Sequence, residues 1–224
     1  MRASWKITAA AVALALAVPV WAQMGMGMRS PAISGIFHPV VGQGAAYELK
    51  GHDQNMKEME VAVVGKEDYQ GQTGYWLETS FSQSGGGPGA MKMLMVMEGP
   101  NPGAKRMIMM MNGQAYEFPM NNPMMGGRMA QSAPHDIRND KTITEVGRET
   151  ITVPAGTFSC EHYRSSDGAS EFWISDKVAP WGLVKSVNRD STIILSRQIT
   201  NATSKITGPV KPFDPMQMMQ QQHP

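Results

Sequence analysis

The sequence predicts an all-β or β-dominated domain of about ten strands, mostly antiparallel, from three observations. Apolar and polar side chains alternate with period two in several short segments: Tyr75, Leu77, Thr79 and Phe81 stand against Trp76, Glu78 and Ser80. Compact turn signals separate such segments, notably Gly99-Pro100-Asn101-Pro102-Gly103 and Asn112-Gly113. Beyond the first 22 residues, no stretch sustains a helical period.

Taken in order, strand-like segments cover residues 46–50, 59–64 and 75–81. Gly85-Gly86-Gly87-Pro88-Gly89 then turns the chain into residues 91–98, where Met91, Met93, Met95 and Met97 occupy alternate positions and so share one face. The next two segments, 105–111 and 114–118, are joined by Asn112-Gly113, the strongest short hairpin signal. Residues 91–118 therefore predict a three-stranded meander. In its middle strand Met107, Met109 and Met111 share a face, with Ile108 and Met110 on the other, so that strand must be central or covered on both sides. The long connection 119–134 holds Met120, Met124, Met125 and Met129, and is of a length usual for a functional lid or a disordered loop. Strands resume at 142–146, 149–153, 157–164, 170–175, 183–187 and 191–200.

The first 22 residues have the pattern of a secretory leader. Arg2 and Lys6 precede an apolar run from Ile7 to Val18, and Val20-Trp21-Ala22 gives a small-x-small cleavage pattern. The run is shorter than the roughly 20 residues needed to span a bilayer. This organisation predicts a leader over 1–22, a flexible Met/Gly-rich lead-in over 23–44, a β domain over 45–206 and a disordered Pro/Gln/Met-rich tail over 207–224. It also predicts a periplasmic or secreted protein with no integral membrane segment once cleaved near Ala22.

Charge and motifs exclude several classes of function. Losing Arg2 and Lys6 with the leader turns a net charge of +1 into −1, which leaves no electrostatic footprint for nucleic acid. Cys160 is the one cysteine, so neither an intramolecular disulfide nor a cysteine cage for zinc can form. There is no Gly-x-Ser-x-Gly elbow, His-Glu-x-x-His pair, phosphate loop or dinucleotide fingerprint, and the five histidines (His38, His52, His135, His162, His223) stand in no catalytic context. No enzyme is expected. Cys160 and His162 fall on one strand face with Phe158, which reads as a buried thiol beside a half-buried imidazole rather than a metal site. Trp76, Trp173 and Trp181 read as core or rim residues, each giving its N–H a partner.

The segment Glu149-Thr-Ile-Thr-Val-Pro-Ala-Gly-Thr-Phe-Ser-Cys-Glu-His-Tyr163 resembles a hairpin recurring in exported half-barrel proteins of the LolA/LolB-like superfamily, above all in its uncharacterised members. Glu171-Phe-Trp-Ile-Ser175 and Pro180-Trp-Gly-Leu-Val-Lys185 resemble the steps that follow in that pattern. The resemblance implies an open, strongly curved antiparallel sheet wrapped around a hydrophobic cavity, with at most short helices as plug or lid. It also implies a carrier of lipid or lipoprotein; no functional residue is carried over.

The methionines supply the candidate site. The sequence holds 21 in 224 residues, and their adaptable thioethers suit a surface that fits an irregular partner. Met91, Met93, Met95, Met97, Met107, Met109 and Met111 are expected to line a cavity for a lipid-like or other apolar small molecule, with Met120, Met124, Met125 and Met129 closing over it. No cofactor is expected. Two alternatives stand beside this reading. One is a copper-handling protein using Met24, Met26, Met28, Met216, Met218, Met219 and His223, because thioethers select Cu(I). The other is a structural module with a closed core that meets an envelope protein partner.

Overall fold

A computed structural model describes residues 34–51, 56–83, 89–99, 102–111, 113–120 and 135–214. Its strands are β1 (Ser34–Gly35), β2 (Gly44–Lys50), β3 (Met56–Tyr69), β4 (Gln72–Gln83), β5 (Gly89–Val96), β6 (Gly103–Met111) and β7 (Gln114–Phe118). They continue with β8 (His135–Asp136), β9 (Ile143–Val153), β10 (Gly156–Ser165), β11 (Ser170–Ile174), β12 (Leu183–Asn188), β13 (Thr192–Ile199) and β14 (Val210–Pro212). A single 3-10 turn, Ile137–Asn139, is the helical element among the described residues.

Twelve strands form one curved, open sheet in the order β14-β7-β6-β5-β4-β3-β2-β13-β12-β11-β10-β9; β1 and β8 make a separate parallel pair. The predicted class is thus the observed one, and β5–β6–β7 is the predicted meander. Curvature has visible local causes. Val64, Lys105, Val146, Val184 and Ser196 each stand as one extra residue in a ladder, and such bulges bend a strand and raise its twist. The hairpin tip between β9 and β10 bends far enough for the Ala155 N–H to donate to the Leu195 carbonyl of β13, at 3.3 Å.

One large apolar cluster fills the inner face, running from Tyr47, Met59, Leu77 and Met107 to Phe172, Trp181 and Leu195. Trp181 is the largest side chain fully out of solvent. Its loop follows the Pro-x-Gly motif: Gly182 adopts φ +69°, and a Cβ there would lie 2.7 Å from the Ile174 side chain. The outer face carries a smaller cluster of Ile108, Ala115 and Ile206, with Trp76, Ala90 and Met110 packed against it. β6 is therefore both internal to the sheet and covered twice.

The predicted boundaries need correcting in three places. Within the supposed lead-in, Ser34–Gly35 pairs with β8, Ile36 and Phe37 pack on the core, and Gly44 opens β2. Segments 142–146 and 149–153 are one strand, because Val146–Gly147 is a bulge in β9 and not a turn. Residues 207–214 do not belong to a disordered tail: β14 pairs in parallel with β7, from Val210 opposite Ala115 to Pro212 opposite Glu117. The Pro-rich composition there hides Val210 and Phe213, which supply pairing and packing.

The far margin of the sheet is β9, largely exposed along its length, with Val146 half exposed. The opposite margin is the three-residue β14, which contains Lys211 and Pro212.

Candidate functional site: the inner methionine face

Register places the predicted methionines together. Met91 stands directly across from Met109, and Met93 from Met107, while on the other side Thr79, Leu77 and Tyr75 oppose Met91, Met93 and Met95. Across β6 the rows continue to Tyr116, opposite Met109, and Phe118, opposite Met107. All of Met91, Met93, Met95, Met97, Met107, Met109, Met111 and Met120 join the one inner cluster.

Burial divides that set. Met93, Met95 and Met107 are 7 %, 2 % and 2 % exposed and belong to the packed interior, whereas Met91, Met97, Met109, Met111 and Met120 are half-buried and border it. The first group stabilises the fold as leucine would, at about 1.5–3 kcal/mol for each buried side chain. The second leaves part of its apolar surface open to a partner. Met124, Met125 and Met129, like Met24, Met26, Met28, Met216, Met218, Met219 and His223, lie outside the described residues.

Among the hollows bordered by the described residues, two lie at the polar rim of β9–β12. The larger, of about 420 Å³, is lined by Ser34, Asp140, Thr142, Ser165, Asp167 and Phe172 among others, and neither has a methionine in its wall. Asp140 and Asp167 are engaged locally: Asp140 accepts from the Thr142 N–H and hydroxyl, and Asp167 from the Ser165 hydroxyl and the Ala169 N–H. These bonds account for the aspartates as turn-makers.

The segment after β13 crosses the outer face; residues through 206 were expected in the domain, and 207–214 were not. The Ser204 hydroxyl donates to Glu78 at 2.5 Å and the Lys205 N–H donates to the same carboxylate at 2.7 Å. Lys205 also reaches Glu60 and Ser80, and Ile206 plugs the outer cluster. Glu78 is only 4 % exposed, so these donors satisfy a carboxylate that burial would otherwise penalise. Burial pushes the Glu60 carboxyl up, but the hydrogen bonds and charges of Lys205 and Arg197 outweigh it and hold the group below its ordinary value. Further on, Gln114 donates to the Pro209 carbonyl, β14 pairs with β7, and Phe213 stacks on Phe118 at 4.1 Å. A sole aromatic in a Pro/Gln/Met-rich stretch was the signal available in the sequence.

A second outer-face network ties β3, β4, β6 and β7. Arg106 donates to both oxygens of Glu117 (2.6 and 3.1 Å) and to Glu67 (2.9 Å), and Glu67 accepts from the Trp76 indole N–H. Lys92 and Arg106 both lie just over 5 Å from the Trp76 ring, within cation–π range. These half-exposed pairs fix register more than they add stability.

Cys160 and His162 turn to separate partners. His162 stacks on Trp173 at 4.5 Å and its Nε2 lies 3.1 Å from Glu171, while the Cys160 thiol turns to the Phe158 carbonyl at 3.7 Å. Trp173 donates to Glu149, as Trp76 does to Glu67. Trp181 departs from the expectation: its indole N–H has no partner among the described residues, because the apolar core surrounds it. Burial, and secondarily the Glu149 charge, pushes the Cys160 thiol up to about 11. Reactivity requires thiolate. Iodoacetamide at pH 8 is accordingly expected to leave native Cys160 unlabelled and to label it once urea unfolds the chain; full native labelling, read by intact mass, would contradict the described burial.

No group of three or more His, Cys, Asp or Glu side chains among the described residues is arranged to hold a metal ion, and no helix there is long and apolar enough to cross a membrane.

Fold and site together define a class: an open, curved, all-β sheet with a methionine-rich inner face. Residues 56–222 match the pattern of a domain of unknown function, DUF4412, and the chain belongs to that family. Two solved structures show a distant similarity to the chain. One is an inferred lipoprotein from Parabacteroides distasonis ATCC 8503, at 16 % identity and a TM-score of 0.36, covering 75 % of this chain and 100 % of that one. The other is an inferred exported protein with a YmcC-like fold from Bacteroides fragilis NCTC 9343, at 12 % identity and a TM-score of 0.33, covering 73 % and 99 %. No curated protein matches.

Proposed function

We propose that this is an exported, non-catalytic binding protein that holds a lipid-like or otherwise apolar ligand against the half-buried methionines of its inner face. The observation carrying this reading is the row Tyr116–Met109–Met91, in direct cross-strand register, half-buried, and continuous with the packed cluster beneath. An acyl chain laid along that row gains about 0.8 kcal/mol for each methylene removed from water. Unbranched thioethers adjust to chains of differing shape at little rotameric cost. Burial of Met93, Met95 and Met107 narrows the proposal from a deep cavity to a shallow apolar surface. The leader pattern supports export, and the half-barrel resemblance supports carriage of lipid.

The same burial favours a second reading, a structural module with a closed core. Extraction of the protein from the periplasm into organic solvent, followed by mass spectrometry, separates the two. Ligand binding requires a co-purifying lipid at a defined stoichiometry, or a lipid that loads on incubation with vesicles. Its absence under both conditions leaves the closed-core module.

A further inference from the structure

We propose that the thioethers of Met91, Met109 and Met111 form a site for one soft monovalent ion, Cu(I) or its analogue Ag(I). The site lies on the surface assigned above to an apolar ligand. It does not rest on that reading, because it uses the lone pairs of sulfur and not the apolar area.

Register brings the three side chains within reach of one another. Met91 of β5 stands directly across from Met109 of β6, a position that sets Cβ atoms about 5 Å apart. Met111 follows Met109 by two residues in an unbroken stretch of the β6–β7 ladder, so it shares that face and lies diagonally from Met91. Such a diagonal is about 7–8 Å, within the reach of long side chains. The rotatable bonds of methionine let each sulfur swing toward a common point. All three pack on the one inner cluster yet stay half-buried, so these donors are not sealed as Met93 and Met107 are.

The donors select the ion. Thioethers are soft and favour Cu(I) over harder divalent ions. They are also uncharged, which disfavours a divalent ion further, since desolvation costs more the higher the charge. Tyr116, directly across from Met109, places an aromatic ring next in the row, and such rings attract cations. Lys92 and Arg106, cations of the same two strands, lie against Trp76, which packs on the outer cluster, so neither repels an ion at the inner face. Leucine at the three positions would give an acyl chain a similar gain on burial. The soft lone pair is what methionine adds.

Cu(I), held reduced by ascorbate without oxygen, is titrated into the protein in competition with a chromogenic Cu(I) chelator. Three forms are compared: the full chain, the chain combining Met91→Leu, Met109→Leu and Met111→Leu, and a chain with Met24, Met26, Met28, Met216, Met218 and Met219 changed to leucine. The full chain and the terminal variant are expected to take one equivalent with equal affinity, and the inner variant to lose at least about tenfold. Binding of an apolar fluorescent probe, read in parallel, tells a failed ion site from a failed apolar surface, because leucine retains the latter. Titration of the unsubstituted chain with Ag(I), followed through methionine methyl signals by NMR, reads the site without any variant. The signals of Met91, Met109 and Met111 are expected to shift together by one equivalent, and those of the buried Met59 and Met95 to stay. Unchanged affinity in the inner variant, loss of binding in the terminal variant, or shifts confined to other methionines each overturn the proposal.

Discussion

Trp181→Ala is expected to lower the stability of the domain by about 3–5 kcal/mol, a large share of what a domain of this size possesses. The indole is wholly out of solvent, packs on Phe37 with centroids 4.6 Å apart, and stands where residues 36–38 meet the β11–β12 connection. Its backbone carbonyl accepts from the Ile36 N–H, and that bond survives the substitution. Only packing is lost, so the deficit measures the cavity. Because the indole N–H has no partner among the described residues, truncation breaks no hydrogen bond there. Urea denaturation followed by circular dichroism gives the value; a loss below about 1 kcal/mol would show a site able to collapse around the missing ring.

The double substitution Met91→Glu with Met109→Lys is expected to weaken binding of a fluorescent apolar probe, or of a loaded lipid, by at least about tenfold, or 1.4 kcal/mol. The two side chains are directly opposed and half-buried. Opposite charges at such a pair satisfy one another across the strands, which preserves the sheet while removing its apolar surface. The melting temperature serves as the control. A variant that melts within a few degrees of the parent and still binds the probe unchanged would remove the methionine row from the site.

How much of this was legible in the sequence depends on where the signal resides. The meander was readable because side-chain period and turn chemistry agree: methionines at alternate positions of β5 and β6 lead to Gly113, which adopts φ +78°. The β3–β4 turn was less visible. Gln70 and Gly71 both take positive φ, +54° and +79°, and Asp68 accepts the Gly71 N–H, yet Gln-Gly is a weaker signal than Asn-Gly. Alternation identified which methionines share a face but not which are sealed. Met93 and Met91 occupy equivalent positions in the pattern, and only the rows above them decide that one is 7 % exposed and the other half-buried. The run over 207–214 was assigned to the tail because its contacts are long-range. Gln114 and the Pro209 carbonyl meet across 95 positions, and composition carries no trace of that.

An open sheet has two margins where a closed barrel has none, and each offers unpaired backbone groups to any passing strand. Here both are guarded. At one margin β14 is three residues long and includes Lys211 and Pro212, so it gives an incoming strand little to extend. At the other, β9 is long, but the bulge at Val146–Gly147 breaks its straight run and Glu145, Arg148 and Glu149 flank the break. A curved sheet able to present an apolar inner face is thereby kept from growing sideways into a fibre, and the edges that leave the face accessible do not turn it into an aggregation seed.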